Sequence, residues 1–277
     1  MRDALPQDTL ERIGAMALDL ARLAGREMAA GLRRTPEVRY KPGGQGGESL
    51  KDPVSEVDQA VETMIRARLA EHFPGHDVLG EESGERPARG SRFLWAVDPV
   101  DGTANYINGF PLYAGSVGVL LDGEPVAGAV WCAASHALRA GVYHAVRGGG
   151  LFFEEEPVQP LFNPAVRRRL GGFVDASPRS PEAWEPRRTG SAAIECAFIA
   201  AGVMDVARFE RPNAWDVAGG FALVRATGGE IRTLGPEGWA PFQGFAAEAP
   251  EGDPGQWRRP VILGRPEAVR QLCELAT

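Results

Sequence analysis

Lysine is nearly missing from this chain. Only Lys41 and Lys51 occur among its 30 basic residues, and they bracket the glycine-rich run PGGQGGESL at 42–50. Two readings of that placement stand side by side: chance, or a mobile cationic flap able to approach a phosphate. Basic charge is also outweighed, with 30 Lys and Arg against 37 Asp and Glu for a formal net charge of −7. That balance excludes a broad basic face for nucleic acid or an anionic membrane surface, so an anionic ligand needs local neutralisation. Cysteine is scarce as well. Cys132, Cys196 and Cys273 are widely spaced with no CxxC pair, which excludes a disulfide framework and a zinc knuckle and marks them as small buried hydrophobes. There are 4 histidines. His72 and His76 have i, i+4 spacing, but Pro74 and Gly75 break any helix between them, and both are expected on the surface. Long apolar runs are absent: YAGSVGVLL (113–121) falls far short of a bilayer span, and MRDALPQDTLER lacks the apolar core of a signal peptide. A soluble, cytoplasmic protein without membrane or nucleic-acid partners is the expectation.

With 277 residues, 44% of them hydrophobic, the chain can bury a large core as one domain or as two halves sharing an interface. Residues 8–34 open with D-T-L-E, an N-cap signature with Asp8 as cap, and continue with Leu10, Ile13, Ala17, Leu20, Leu23 and Met28 at helical spacing. S-E-V-D (55–58) starts a second helix, which Pro74-Gly75 ends. DVLGEES (77–83) reads as a strand entering a turn, and RFLWAV (92–97) as a buried strand. From 113 to about 153 short Val-, Tyr-, Trp- and Phe-rich runs with turns at 122–125 and 147–150 predict an antiparallel meander. The second half alternates: FVDAS (173–177) strand, GSAAIECAFIAAG (190–202) helix, MDVARFE (204–210) strand, WDVAGGFALVRATGG (215–229) helix, then VILG and a closing helix that starts at a proline. An α/β protein is predicted, an α+β half over 1–155 followed by an α/β half over 156–277, working as one catalytic unit. The Gly/Pro-rich stretch 235–257 reads as surface loop.

At 98–103 the chain reads DPVDGT, at the exit of the strand over 92–97. Taken alone this is turn chemistry, since Asp and Pro favour turns and Gly-Thr can open a helix. Glu81 in GEES (80–83) ends the preceding strand, Asp216 starts a helix in the other half, and Asp58 lies at an earlier helix start. Carboxylates gathered at strand exits and helix starts repel one another and raise their own pKa values unless a cation holds them ionised. All-oxygen ligands without clustered His or Cys suit Mg2+ or Mn2+ rather than zinc. With Pro99 fixing the backbone, Asp98 and Asp101 flank the Val100 carbonyl, three oxygen ligands in four residues, a strip suited to two metals sharing one aspartate. Gly102 and Thr103 then open a short helix whose start favours a phosphate oxygen. The pattern points to phosphoryl chemistry. Two competitors fall away: a haloacid-dehalogenase phosphatase needs its nucleophilic aspartate where Pro99 stands, and an EF-hand needs alternating Asp or Asn.

GEES (80–83), DPVDGTANYINGFP (98–111), GSAA (190–193) and WDVAGG (215–220), in this order over most of residues 50–230, resemble the inositol monophosphatase family of Mg2+-dependent, lithium-sensitive phosphatases. The resemblance implies a layered αβαβα sandwich, usually a homodimer. It implies that Glu81, Asp98 and the Val100 carbonyl hold one metal, and Asp98, Asp101 and Asp216 a second, with two or three Mg2+ per site. Thr103 paired with Asp58 would orient and deprotonate the attacking water, with Glu81 in the catalytic set; alternatively, Asp58 only completes the cap begun by Ser55. Gly102, Thr103, Gly190, Ser191, Ala192 and Asp216 would face the substrate. Where inositol-specific relatives carry a glutamate, this chain has Phe209 followed by Glu210, so an aromatic face or an offset diol contact is expected there. The glycine-rich loop is longer than in the family. Inositol 1-phosphate is the first substrate expected, with fructose 1,6-bisphosphate and 3′-phosphoadenosine 5′-phosphate as alternatives. A regulatory binding module with vestigial activity is the reading from another class.

Overall fold

In a computed structural model of the chain, the described residues are 6–34, 37–42, 48–83, 90–160, 162–173 and 183–276, without the side chains of 41, 42 and 48–53. Helix α1 (Gln7–Gly31) buries Leu10, Ile13, Ala17, Leu20, Ala24 and Met28 along one stripe, as the 3.6-residue spacing dictates. Its N-cap is Pro6 with no side-chain bond. Asp8, expected as the cap, lies inside the first turn, where its charge still opposes the positive end of the dipole. Strands β1 (Val38–Pro42) and β2 (Glu48–Ser55) form an antiparallel hairpin. The expected cationic flap falls on residues 43–47 and on the side chains of Lys41 and Lys51, outside the described residues. Helix α2 (Glu56–His72) follows directly and is closed at its start by a Ser55–Asp58 capping box.

Strand β3 (Asp77–Gly80) runs parallel to β4 (Phe93–Asp101), the first step of a seven-stranded sheet. The short helix α3 (Thr103–Ile107) leads into the antiparallel meander β5 (Ala114–Leu121), β6 (Glu124–Cys132), β7 (Gly141–Val146), β8 (Leu151–Phe153) and β9 (Glu156–Val158). A second, six-stranded sheet follows. It begins with β10 (Arg169–Phe173) and β11 (Trp184–Arg187), then α4 (Ala192–Ala200), β12 (Val206–Phe209) and α5 (Ala214–Ala226). Strands β13 (Glu230–Gly235) and β14 (Gly238–Pro241), helix α6 (Phe245–Glu248), strand β15 (Val261–Gly264) and helix α7 (Pro266–Leu275) complete it. Its order is β11-β10-β12-β15-β13-β14, parallel among the first three and antiparallel around β15. The strand expected at 173–177 ends at Phe173, and residues 174–177 lie outside the described residues.

Helices α1 and α2 cover one face of the first sheet, α4 and α5 fill the space between the sheets, and α7 covers the second sheet. The result is the five-layer αβαβα sandwich. The central layer is close-packed because glycines let α5 reach the first sheet: a Cβ built on Gly128 would stand 2.2 Å from the Gly219 carbonyl oxygen. Cys132, Cys196 and Cys273 are all buried and free. Among the described residues no helix is long and apolar enough to cross a membrane.

Two surface expectations are corrected. The stretch 235–257 is not loop alone: it contributes β14 and α6, and Phe242, Phe245 and Trp257 are buried against Phe221. Trp257 meets Phe245 edge-on at 4.9 Å, and Phe245 stacks on Phe221 at 5.5 Å. The Gly and Pro residues mask three aromatics whose burial stabilises the fold far more than the surrounding turns reveal. His76 is half-buried, accepting from Trp95 Nε1 at 3.0 Å and stacking on Phe93 at 4.5 Å. Burial lowers its pKa. His72 is exposed, as expected.

Candidate active site

Strand β4 extends four residues past its expected end, carrying Asp98 and Asp101 within it. Its ladder with β5 breaks register between these two aspartates. Pro99 lacks the N–H that the ladder requires, so the strand bulges there, and a bulge re-aims side chains. Asp98 Oδ1 accepts from Val100 N–H at 3.1 Å, which turns its carboxylate back over the bulge. Gly102 then adopts φ 88°, the left-handed conformation that glycine reaches without strain, and starts α3.

Asp101 bridges the two motifs nearest to it. Its Oδ2 accepts from Ser191 Oγ at 2.7 Å and from Ala193 N–H at 2.5 Å, at the start of α4. Ser191 caps the same helix by accepting from Ile194 N–H at 3.2 Å. A Cβ on Gly102 would lie 3.2 Å from the Gly190 carbonyl oxygen, so the DPVDGT and GSAA turns touch. Asn105 pins them together, its Nδ2 donating to the carbonyls of Leu112 at 2.6 Å and Thr189 at 2.7 Å. Ser191, expected to face the substrate, here donates to Asp101, as does the N–H of Ala193.

Thr103 Oγ1 lies 3.1 Å from Asp58 Oδ1 and 2.9 Å from the Val100 carbonyl oxygen, and can donate to either. The other oxygen of Asp58 accepts from Ser55 N–H at 3.0 Å and from Ser55 Oγ at 2.5 Å. Asp58 therefore caps α2 with one oxygen, as the capping reading has it, and faces Thr103 with the other. Burial pushes its pKa up to about 6 against the hydrogen bonds from Ser55 and Thr103, and the charge of Glu81 adds to the rise.

Glu81 follows β3 and lies within electrostatic and hydrogen-bonding reach of Asp98. Its turn is shaped by Glu62 of α2, a buried residue that the sequence analysis did not single out. Glu62 accepts from the N–H groups of Glu82 at 2.8 Å and Ser83 at 3.1 Å, and Arg66 one turn later holds it at 2.8 Å. A Cβ on Gly80 would strike the Glu62 carboxylate at 2.3 Å, so glycine before Glu81 leaves this side chain room to reach the turn. The available signal was the i, i+4 Glu62–Arg66 pair, which reads as an ordinary solvent-facing pair until the fold buries it.

Asp216 comes from the other half, in the first turn of α5. Its Oδ2 accepts from Asn213 N–H at 2.7 Å. Burial, then the charge of Asp101, raises its pKa to about 7. Asp101 is raised to about 6, chiefly by burial and opposed by its bond from Ser191. Asp98 is pushed well up by burial and by Glu81, Asp101 and Asp216 together. Glu81, Asp98, Asp101 and Asp216 thus converge from three motifs on one place. Among the described residues no three acidic, His or Cys side chains close into a ready ligand cage, because each aspartate turns an oxygen to a nearby N–H. The donor set itself is all oxygen, and burial with mutual repulsion raises the pKa values of its three aspartates, a cost that a hard divalent cation would relieve.

The expectation for Phe209 is corrected. Phe209 is 6% exposed and belongs to the hydrophobic core, leaving its ring little surface for a ligand. β12 turns it inward with Ala207, as the two-residue period requires. Glu210 is exposed and pairs with Arg208 at 2.8 Å.

The sequence profile of the inositol monophosphatase family matches residues 9–258. Inositol-1-monophosphatase ImpA of Mycolicibacterium smegmatis is 32% identical over 252 residues, covering 85% of this chain and 86% of that protein. A protein of Aquifex aeolicus named fructose-1,6-bisphosphatase/inositol-1-monophosphatase is 32% identical over 199 residues, covering 67% of this chain and 74% of its own. In fold, the chain is similar to a solved IMPase/NADP phosphatase complexed with Mg2+ and phosphate. That pair has a TM-score of 0.74 at 18% identity, covering 96% of this chain and 95% of the other.

Proposed function

The chain belongs to the inositol monophosphatase family, and from that premise we propose that it hydrolyses inositol 1-phosphate in a Mg2+-dependent reaction with water as nucleophile. One observation carries the reading: Asp98, Asp101 and Asp216, from both halves of the chain, share one electrostatic environment beside a Thr103–Asp58 hydrogen bond.

Glu81, Asp98, Asp101, Asp216 and the Val100 carbonyl would hold two or three ions, with Mn2+ an alternative to Mg2+. When bound, such ions lower the pKa of water and offset the charge on the attacking and leaving oxygens. The chain's own residues do the rest. Thr103 Oγ1 passes the water proton to Asp58, whose pKa of about 6 suits a base working near neutrality. The water oxygen bonds to phosphorus as the bond to the inositol oxygen breaks, and that oxygen takes up a proton; no phosphoenzyme forms. Gly102, Thr103 and the turn 190–192 would orient the phosphate, with the Ser191 hydroxyl beside Asp101 at the head of that turn. Residues 1–155 and 156–277 act as one catalytic unit, and the enzyme works as a cytoplasmic homodimer on a small anionic ester. A second reading, fructose-1,6-bisphosphatase, draws on the double name of the Aquifex aeolicus relative.

The test is phosphate release from inositol 1-phosphate, fructose 1,6-bisphosphate and 3′-phosphoadenosine 5′-phosphate, with and without Mg2+. Mg2+-dependent release from inositol 1-phosphate, slowed by lithium and lost in Asp98→Asn with the fold intact, is the expected outcome. Absence of release from all three substrates overturns the hydrolase reading, and full activity in Asp98→Asn overturns the metal assignment.

A further inference from the structure

Helix α4 carries a carboxylate that the hydrolytic machinery does not use. Glu195 lies in its first turn, 6% exposed, and its sequence neighbours Ala193, Ile194, Cys196 and Ala197 are buried with it. Among the described residues it has no ion pair, and its hydrogen bonds all come from Thr189. Burial pushes its pKa up to about 7 against those bonds, and the charge of Asp101 adds to the rise. A buried carboxylate without a cation costs free energy that an apolar side chain in the same place would not, so its worth lies in the bonds it makes.

Glu195 Oε1 accepts from Thr189 Oγ1 at 2.7 Å and from Thr189 N–H at 3.3 Å. Its other oxygen stands where a Cβ on Gly172 would be, so glycine in β10 leaves the carboxylate room. Thr189 is itself buried and is held from the opposite side, its carbonyl accepting from Asn105 Nδ2 at 2.7 Å. A hydroxyl has one proton to give and lone pairs to accept with. While the Thr189 proton goes to Glu195, its oxygen accepts from Ser191 N–H at 3.2 Å. Without Glu195 that proton is left with the Ser191 carbonyl, 3.0 Å away. Ser191 passes its own hydroxyl proton towards Asp101 at 2.7 Å. Between Thr189 and Ser191, Gly190 takes φ 80° and brings no side chain to hold the turn. Thr189 fastens the start of that turn, and Glu195 fastens Thr189.

We propose that Glu195 is a positioning residue for the reaction: through Thr189 it fixes the turn 190–192 in the shape that receives the substrate, and it does so as a hydrogen-bond acceptor, not as a charge. The inference rests on the phosphatase reading and adds to it a residue that touches neither substrate nor cation. A neutral acid with its proton on Oε2 keeps Oε1 free to accept, so glutamine supplies the same tether. Losing an interaction that serves ground state and transition state alike raises KM and leaves kcat in place.

Steady-state kinetics in saturating Mg2+, on whichever of the three esters above the wild type hydrolyses fastest, would compare it with Glu195→Ala, Glu195→Gln, Thr189→Val and the double variant Glu195→Ala/Thr189→Val. Thermal denaturation of each variant accompanies the kinetics. Glu195→Ala and Thr189→Val are each expected to raise KM about tenfold, with kcat changed by less than about threefold. Glu195→Gln is expected to restore the wild-type KM. The double variant should add little to either single change, because both remove one tether. A lower Tm with KM unchanged in Glu195→Ala marks a role in stability alone and overturns the proposal. So does a KM in Glu195→Gln as high as in Glu195→Ala, or effects that multiply in the double variant. Should Glu195→Ala fold poorly, the KM of Thr189→Val decides: raised, it supports the tether, and unchanged, it removes it. Failure of the wild type to release phosphate from any of the three esters overturns instead the reading on which the proposal rests.

Discussion

Asp58 and Asp216 occupy the same place in their helices, the third residue of the first turn, and each reaches back to the N–H of its N-cap residue. A carboxylate fixed this way is ordered by the backbone on one oxygen and leaves the other for chemistry. At Asp58 that second oxygen meets Thr103. Asp58→Asn keeps the shape and the hydrogen bond from Ser55 N–H but removes the base. Its kcat is expected to fall by roughly 10²–10⁴, the usual worth of a positioned base, while the Mg2+-induced rise in Tm persists. Steady-state kinetics beside thermal denaturation checks this; a kcat within a few-fold of wild type would return Asp58 to a capping role alone. Ser55 and Asp58 were legible as a helix start because capping is local. Glu62 was not, because its value lies in the amides of Glu82 and Ser83, 20 and 21 residues away.

Among elements, α5 carries the longest chain of consequence. Asp216 and Gly219 are three residues apart and so share a face, and Gly219 is where α5 touches β5 and β6. A Cβ on Gly118 would lie 2.5 Å from Gly219 N, and one on Gly128 2.2 Å from Gly219 O. These are backbone contacts, so a methyl group can be admitted only by moving the helix. Gly128→Ala is expected to cost about 1–3 kcal/mol by overpacking and to weaken Mg2+ binding by displacing Asp216. Denaturant unfolding would show a lower midpoint at unchanged slope, and calorimetry with Mg2+ a weaker site; wild-type stability would mean that the layers are looser than the contacts indicate. The helix itself was readable from WDVAGGFALVRATGG. Its approach to the sheet was not, since small residues in a helix do not say which backbone they admit. The stretch 235–257 failed in the opposite way: turn residues hid Phe242, Phe245 and Trp257, whose partner Phe221 stands on α5.

For the whole molecule the cost of gathering carboxylates is visible in its pH dependence. Asp58 and Asp101 are held up near 6 and Asp216 near 7, burial being the main cause in each case. Unfolding returns them to the ordinary range near about 4. Between these values the folded chain binds more protons than the unfolded one, so these groups make stability fall as pH rises through that window. A divalent cation competes with the same protons and so binds better as they leave. Without metal, Tm is expected to decline from about pH 5 to about pH 8 through these groups, and Mg2+ to raise it strongly only above about pH 7. Thermal denaturation in chelator and in Mg2+ across this range checks both halves. A Mg2+ shift as large at pH 5 as at pH 8 would contradict the placement of the ion among these carboxylates.

The sequence by itself determined the inventory: where most helices, apolar stripes and strands run, and that GEES, DPVDGT and WDVAGG set acidic residues in a fixed order, with GSAA between the last two. Those properties depend on neighbours a few residues apart, and the chain states them directly. Only the tertiary structure decided which groups meet. It placed Asp101 on α4, Glu62 beneath the GEES turn, Arg258 on Trp215, and Phe209 in the core instead of the cleft. Such meetings follow from two sheets closing on glycine-lined helices, and dense packing across layers leaves no periodic trace along the chain.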